Sequence, residues 1–68
     1  MIHLDSDLRT LTWTTRQAAE AAQVPPGRIR IWAHRGKLRP VNPRATHPRY
    51  RASEVLQVEA EMRARAAA

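Results

Sequence analysis

The run from Val24 to Leu38, Val-Pro-Pro-Gly-Arg-Ile-Arg-Ile-Trp-Ala-His-Arg-Gly-Lys-Leu, leaves few folds open. Ile29, Trp32 and Ala33 recur at i, i+3 and i+4, so on a helix they share one face and must pack inward. Arg28, Arg30 and Arg35 then fall around the opposite arc. Pro25 and Pro26 suit the start of a helix and not its interior, and Gly36 can take the left-handed conformation that closes one. The spacing therefore predicts a helix over 26–35, about two to three turns long, apolar on one side and basic on the other.

A chain of 68 residues holds one domain at most, and a core of that size supplies only ~3–5 kcal/mol of net stability. Cysteine is absent, which removes disulfides and thiolate metal sites. The apolar runs are short and no basic segment precedes an apolar block at the N-terminus, so neither a membrane span nor a signal peptide is expected, and the default is a cytoplasmic protein. Twelve Lys and Arg stand against six Asp and Glu, and the excess is concentrated. Between Leu11 and Arg51 nine basic residues face the single acid Glu20, a net charge of +8. Such a field attracts a polyanion and makes its binding salt-dependent, with nucleic acid ahead of an anionic membrane. Eleven of the twelve bases are Arg, which either records a GC-rich genome or suits bidentate reading of phosphate and guanine.

Residues 1–10 carry Asp5 and Asp7 with loosely spaced apolar residues and no cap signal, and read as an N-terminal arm ahead of a domain over 11–66. Thr14 followed by Gln17 fits a capping box, with Trp13 at the staple position, so a helix is expected over Thr15–Ala22. Ala18, Ala19 and Ala22 give it a small-residue face that admits a close neighbour across the link Gln23-Val24-Pro25-Pro26. After Gly36, Pro40, Pro43 and Pro48 exclude a long helix. Leu38–Val41 and Arg49–Arg51 are read as two short edge strands around a loop, a wing over 39–51. From Ala52 the period is helical again, with Val55, Val58 and Met62 inward, Glu54, Glu59, Glu61, Arg63 and Arg65 solvated, and an alanine-rich end expected to fray. The fold class is mainly α: a winged helix-turn-helix of three helices with a two-stranded β wing.

The order of these elements, and the residues Val24-x-Pro26-x-x-Ile29-x-x-Trp32-Ala33-x-x-Gly36-Lys37-Leu38, resemble the MerR-like winged helix-turn-helix family, whose recognition helix and exit turn read Val-x-Pro-x-x-Val-x-x-Trp-Ala-x-x-Gly-Lys-Leu. Arg49-Tyr50-Arg51 followed by Glu54-Val55 is similar to the family's returning strand and third-helix start. The resemblance runs from Leu11 to Met62 and is strongest to the small members without an effector domain, the excisionases and BldC-type regulators. Two departures stand out: Pro43 and Pro48 bracket the wing tip where relatives have a Gly-rich turn, and Ile31 stands where many carry a polar or basic residue. MerR proteins proper continue into a long dimerising helix and an effector domain, whereas this chain ends soon after Met62.

The resemblance implies double-stranded DNA as partner, with the 26–35 helix in the major groove and the wing at the minor groove. The DNA-binding set is Thr15, Arg16, Gly27, Arg28, Arg30, Ile31, His34, Arg35, Arg44, His47 and Arg49. Arg28 and Arg30 would reach base edges or phosphates, with simple solvated charge as the alternative. Ile31 suits a thymine methyl, or is an incidental exposed residue. Arg44, His47 and Arg49 belong to the wing beside the minor groove, unless Arg49 merely faces solvent. Thr14, Thr15 and Arg16 open the first helix where a phosphate can sit, although capping also explains threonines there.

No catalytic set emerges: His3, His34 and His47 are scattered, Ser6 and Ser53 lack His and acid partners, and no metal or cofactor is expected. The third helix is too short for a convincing coiled coil. A monomer is therefore expected in solution, and the small relatives imply cooperative head-to-tail assembly on repeated sites. Excision control beside an integrase is the favoured role, at the nucleoid. The alternatives are a BldC-like transcriptional regulator and an antitoxin- or packaging-type adaptor with an acidic protein partner.

Overall fold

The computed structural model describes residues 10–67. The elements run β1 (Thr12–Thr14), α1 (Thr15–Ala22), α2 (Pro26–His34), β2 (Arg49–Arg51) and α3 (Ala52–Ala67), and the fold is a winged helix-turn-helix of three helices and a two-stranded antiparallel sheet. Residues 1–9, which hold nearly all of the expected arm, lie outside the described residues.

Each helix boundary has a local cause. Thr14 is extended, its Oγ1 accepts the Gln17 N–H at 3.2 Å, and its own N–H donates to Gln17 Oε1 at 3.0 Å. This reciprocal capping box satisfies two backbone donors that the first turn of α1 leaves without helical partners. At the other end Gln23 adopts the left-handed conformation, φ 58°. Its N–H donates to Glu20 O, and the Val24 N–H donates to Ala19 O at 3.0 Å, the two bonds of a Schellman turn. A residue with a Cβ is strained there by roughly 1–2 kcal/mol, offset in part by Val24 packing onto the core. α2 begins at Pro26 as the 26–35 reading expects and ends one residue earlier, at His34 with Arg35 as its cap, so the link between the helices is the three residues Gln23-Val24-Pro25. The same turn closes α2 around Gly36 at φ 79°, with Gly36 N–H to Ala33 O and Lys37 N–H to Trp32 O.

The inward faces meet in one cluster. Ile29 and Trp32 of α2, Ala18, Ala19 and Ala22 of α1, Leu38, Tyr50, and Val55 and Val58 of α3 are buried together, with Trp13, Val24, Ala33 and Met62 packed around them. The three alanines keep α1 slim on the side where α2 and α3 both approach. Among the described residues no charged or amide side chain is buried, and the core is hydrocarbon apart from the Trp32 indole N–H and the Tyr50 hydroxyl.

The wing differs from the expected hairpin. β2 pairs antiparallel with β1, Thr12 opposite Arg51, Trp13 opposite Tyr50 and Thr14 opposite Arg49, a strand the sequence reading passed over. On its other edge the expected strand Leu38–Val41 is reduced to a bridge between Pro40 and Tyr50, with Val41 N–H donating to Arg49 O at 2.8 Å. Pro40 has no N–H with which to extend a ladder, and Leu38 is drawn into the core, 1% exposed. Asn42 closes the wing loop where relatives use glycine. Its Oδ1 accepts the Arg49 N–H at 2.8 Å and its Nδ2 donates to His47 O at 3.2 Å. The alanine-rich end of α3 is helical to Ala67, alanine having the strongest helix propensity.

Trp32, 4% exposed, links the inward face of α2 to the rest of the cluster. Trp32→Ala should cost ~3–5 kcal/mol, comparable to the whole stability of a domain this small. Circular-dichroism melts should show no cooperative transition, and a parent-like melt would contradict the packing described.

Candidate nucleic-acid interface

Because Ile29 and Trp32 are buried and Ala33 half-buried, α2 turns the rest of its circumference outward. Gly27, Ile31 and His34 form the outermost stripe; Arg30 lies on one flank, and Arg28 and Arg35 on the other, all of them exposed. The helix contains no acid. It is nine residues long, and the diameter of an α-helix with its side chains, about 10–12 Å, is one that a major groove about 12 Å wide accommodates.

On the Arg30 flank the start of α1, the start of α2 and the wing loop enclose an open groove of about 750 Å³. It is lined by Thr14, Thr15 and Arg16 from the start of α1, Pro26 and Arg30 from α2, and Thr46, His47 and Pro48 from the wing loop. Four of the residues singled out in the sequence, Thr15, Arg16, Arg30 and His47, thus meet here although they are up to 32 positions apart. The N-terminal end of α1 adds the positive end of its helix dipole. Arg16 pairs only loosely with Glu20, 3.9 Å apart with both side chains solvated, and a pair of that kind does not hold the guanidinium back.

The depression on the other flank is smaller. Arg28, Ile31 and Arg35 border a depression of about 280 Å³ with Trp32, Lys37 and Met62. Lys37 joins this basic surface although the sequence reading gave it no role; its place just after Gly36 was the available signal. Arg44 is exposed on the wing loop and lines neither groove.

Arg49 is placed differently from the other wing residues. It is half-buried, its Nε donates to Thr12 Oγ1 at 2.9 Å and its Nη2 to Thr12 O at 3.1 Å. Its guanidinium therefore binds β2 to β1, and neither groove is lined by it. No sequence signal marked this pair, because the partners are 37 residues apart. Pro26, Thr46 and Pro48 were likewise not marked as site residues; they enter the groove only through the packing of α1 against α2 and the fold of the wing.

Residues 13–65, most of the chain and all of both grooves, match the family described as MerR HTH family regulatory protein. The chain belongs to the MerR HTH family. MerR proteins are DNA-binding regulators, and the helix-turn-helix of this member is α1 and α2. No curated protein and no solved structure matches it significantly. Among the described residues of this MerR member, no helix is long and apolar enough to cross a membrane, and no group of three His, Asp or Glu gathers as a metal site would require.

The Arg49 clip separates structural from surface arginines in this MerR domain. Arg49→Ala removes two charge-assisted hydrogen bonds at a half-buried site and should cost about 1–2 kcal/mol, lowering the melting temperature by roughly 5–15 °C. Arg49→Lys should not restore it, since an ammonium cannot reproduce the fork. Arg44→Ala should melt within about 0.5 kcal/mol of the parent. Equal melts for Arg49→Ala and Arg44→Ala would remove the structural role.

Proposed function

We propose that this MerR-family domain, residues 11–66, binds specific duplex DNA sequences with α2 in the major groove and the 39–51 wing against the adjacent minor groove, and that it acts as an excisionase. The observation that carries the DNA-binding geometry is the convergence of Arg16, Arg30 and His47 on one groove beside the acid-free face of α2. A phosphate strand running through that groove would meet Thr15 and Arg16 on one side and His47 on the other, leaving Arg28, Arg30, Ile31, His34 and Arg35 toward base edges. Gly27 lets the first turn of α2 approach closely. A Cβ built there meets nothing within 4 Å, so the fold itself does not require the glycine. Arg44 reaches backbone or minor groove from the wing tip, and Arg49 contributes by holding the wing to β1.

The excisionase role is supported by the resemblance of Val24–Leu38 and Arg49–Val55 to the small family members. Monomers in solution would load head to tail on direct repeats of an attachment site at the nucleoid, bend it, and direct an integrase toward excision. The family description, a regulatory protein, favours a second reading in which the same surface occupies promoters in the manner of BldC.

Arg30→Ala should cost about 1–3 kcal/mol on the preferred duplex and relax one base position, whereas Arg44→Ala should weaken all duplexes evenly and reduce the salt slope by about one. Titrations on preferred and scrambled duplexes at several salt concentrations measure both. An unchanged specificity ratio for Arg30→Ala would remove α2 as the reading element. The biological role is tested by integrase-mediated recombination with and without the protein, where a shift toward excision is expected. Unchanged direction together with altered transcription from a neighbouring promoter would establish the regulatory reading instead.

A further inference from the structure

Ile31 is left unexplained by electrostatics. It is 45% exposed, in the outermost stripe of α2, one turn after Gly27 and opposite the buried Ile29 and Trp32. A helical side chain leans over the turn N-terminal to its own Cα, so Ile31 leans toward a position that has no side chain. The space above Gly27 is open, with nothing within 4 Å of a Cβ built there. Ile31 therefore stands as a half-exposed apolar knob at the edge of the depression it lines with Arg28, Trp32, Arg35, Lys37 and Met62, with Arg30 exposed on its other side. Packing asks for neither residue: Ile31 is outside the buried cluster, and glycine within a helix is less favourable than alanine.

The surroundings restrict what can cover the knob. Three guanidiniums demand anionic or acceptor groups, while Ile31 demands an apolar one in their midst. The major groove offers that combination: phosphates and guanine acceptors for the arginines, and the thymine C5-methyl as the apolar group on a base edge. We propose that Ile31 is a specificity-determining residue that packs on the C5-methyl of a thymine, with Gly27 allowing the helix backbone to approach closely enough for that contact. The inference rests on the duplex-DNA reading above and deepens it by naming the chemical group that is read.

Uracil pairs as thymine does and differs only by lacking the methyl group, so it isolates the contact. The preferred duplex is selected from a random pool with the intact protein, and each thymine in it is replaced singly by uracil. Replacement at the contacted position should weaken binding about fourfold, the worth of one buried methyl group. Ile31→Ala should bind the thymine and uracil duplexes equally, Ile31→Val should keep part of the difference, and both should melt like the parent because the side chain is outside the core. Wild-type indifference to every replacement, or persistent discrimination by Ile31→Ala, would overturn the assignment while leaving DNA binding intact. A selection yielding no preferred duplex would overturn the sequence-specific reading and the Ile31 assignment together.

Discussion

The burial of Ile29 and Trp32 against the alanine face of α1 sets the rotation of α2 about its own axis, and the surface of the domain follows from that rotation. With those two side chains inward, Arg28, Arg30, Ile31, His34 and Arg35 have nowhere to go but out. Helix phase is thus fixed by the hydrophobic effect, which is non-directional in itself but discriminates sharply between an indole in the core and one in water. Ala18, Ala19 and Ala22 contribute by being small, since larger residues would hold α1 away from α2 and widen the groove between their N-terminal ends.

The sheet does a different task. β2 lies between β1 on one edge and the Pro40 bridge on the other, so it ties the segment before α1 to the segment after α2. Tyr50 faces the core, while the Arg49 side chain reaches across to Thr12 and the Arg49 backbone N–H donates to Asn42 Oδ1. Through these bonds the wing loop is positioned relative to α1 as well as α2. The wing-loop lining of the groove, Thr46 to Pro48, is held there with no fully buried charge among the described residues.

The two levels of organisation separate affinity from selectivity. The net charge of +8 between Leu11 and Arg51 acts over a Debye length and draws in any duplex. In the binding mode proposed above, the outward stripe Gly27, Ile31 and His34 would act only at contact, where shape and apolar match distinguish one base from another.

Periodicity and punctuation sufficed for the helices. The Thr14 and Gln17 capping box, the Pro25-Pro26 start and the Gly36 stop are local devices whose partners lie within a few residues, so the chain alone determined where α1 and α2 begin and end and which faces they bury. The basic character of the outward face was legible for the same reason, since an amphipathic helix assigns both faces at once. Only the tertiary structure decided the partner of β2, because strand pairing depends on which segments the packed helices bring alongside. Thr12–Thr14, 35 to 39 residues away from its partners, prevailed over the adjacent Leu38–Val41, where a proline lacks the donor and a leucine is taken by the core. The same long-range packing turned Arg49 from a wing cation into a clip and joined Arg16, Arg30 and His47 into one groove. Local sequence carries the elements; the distance between partners along the chain is what hid the sheet and the groove from it.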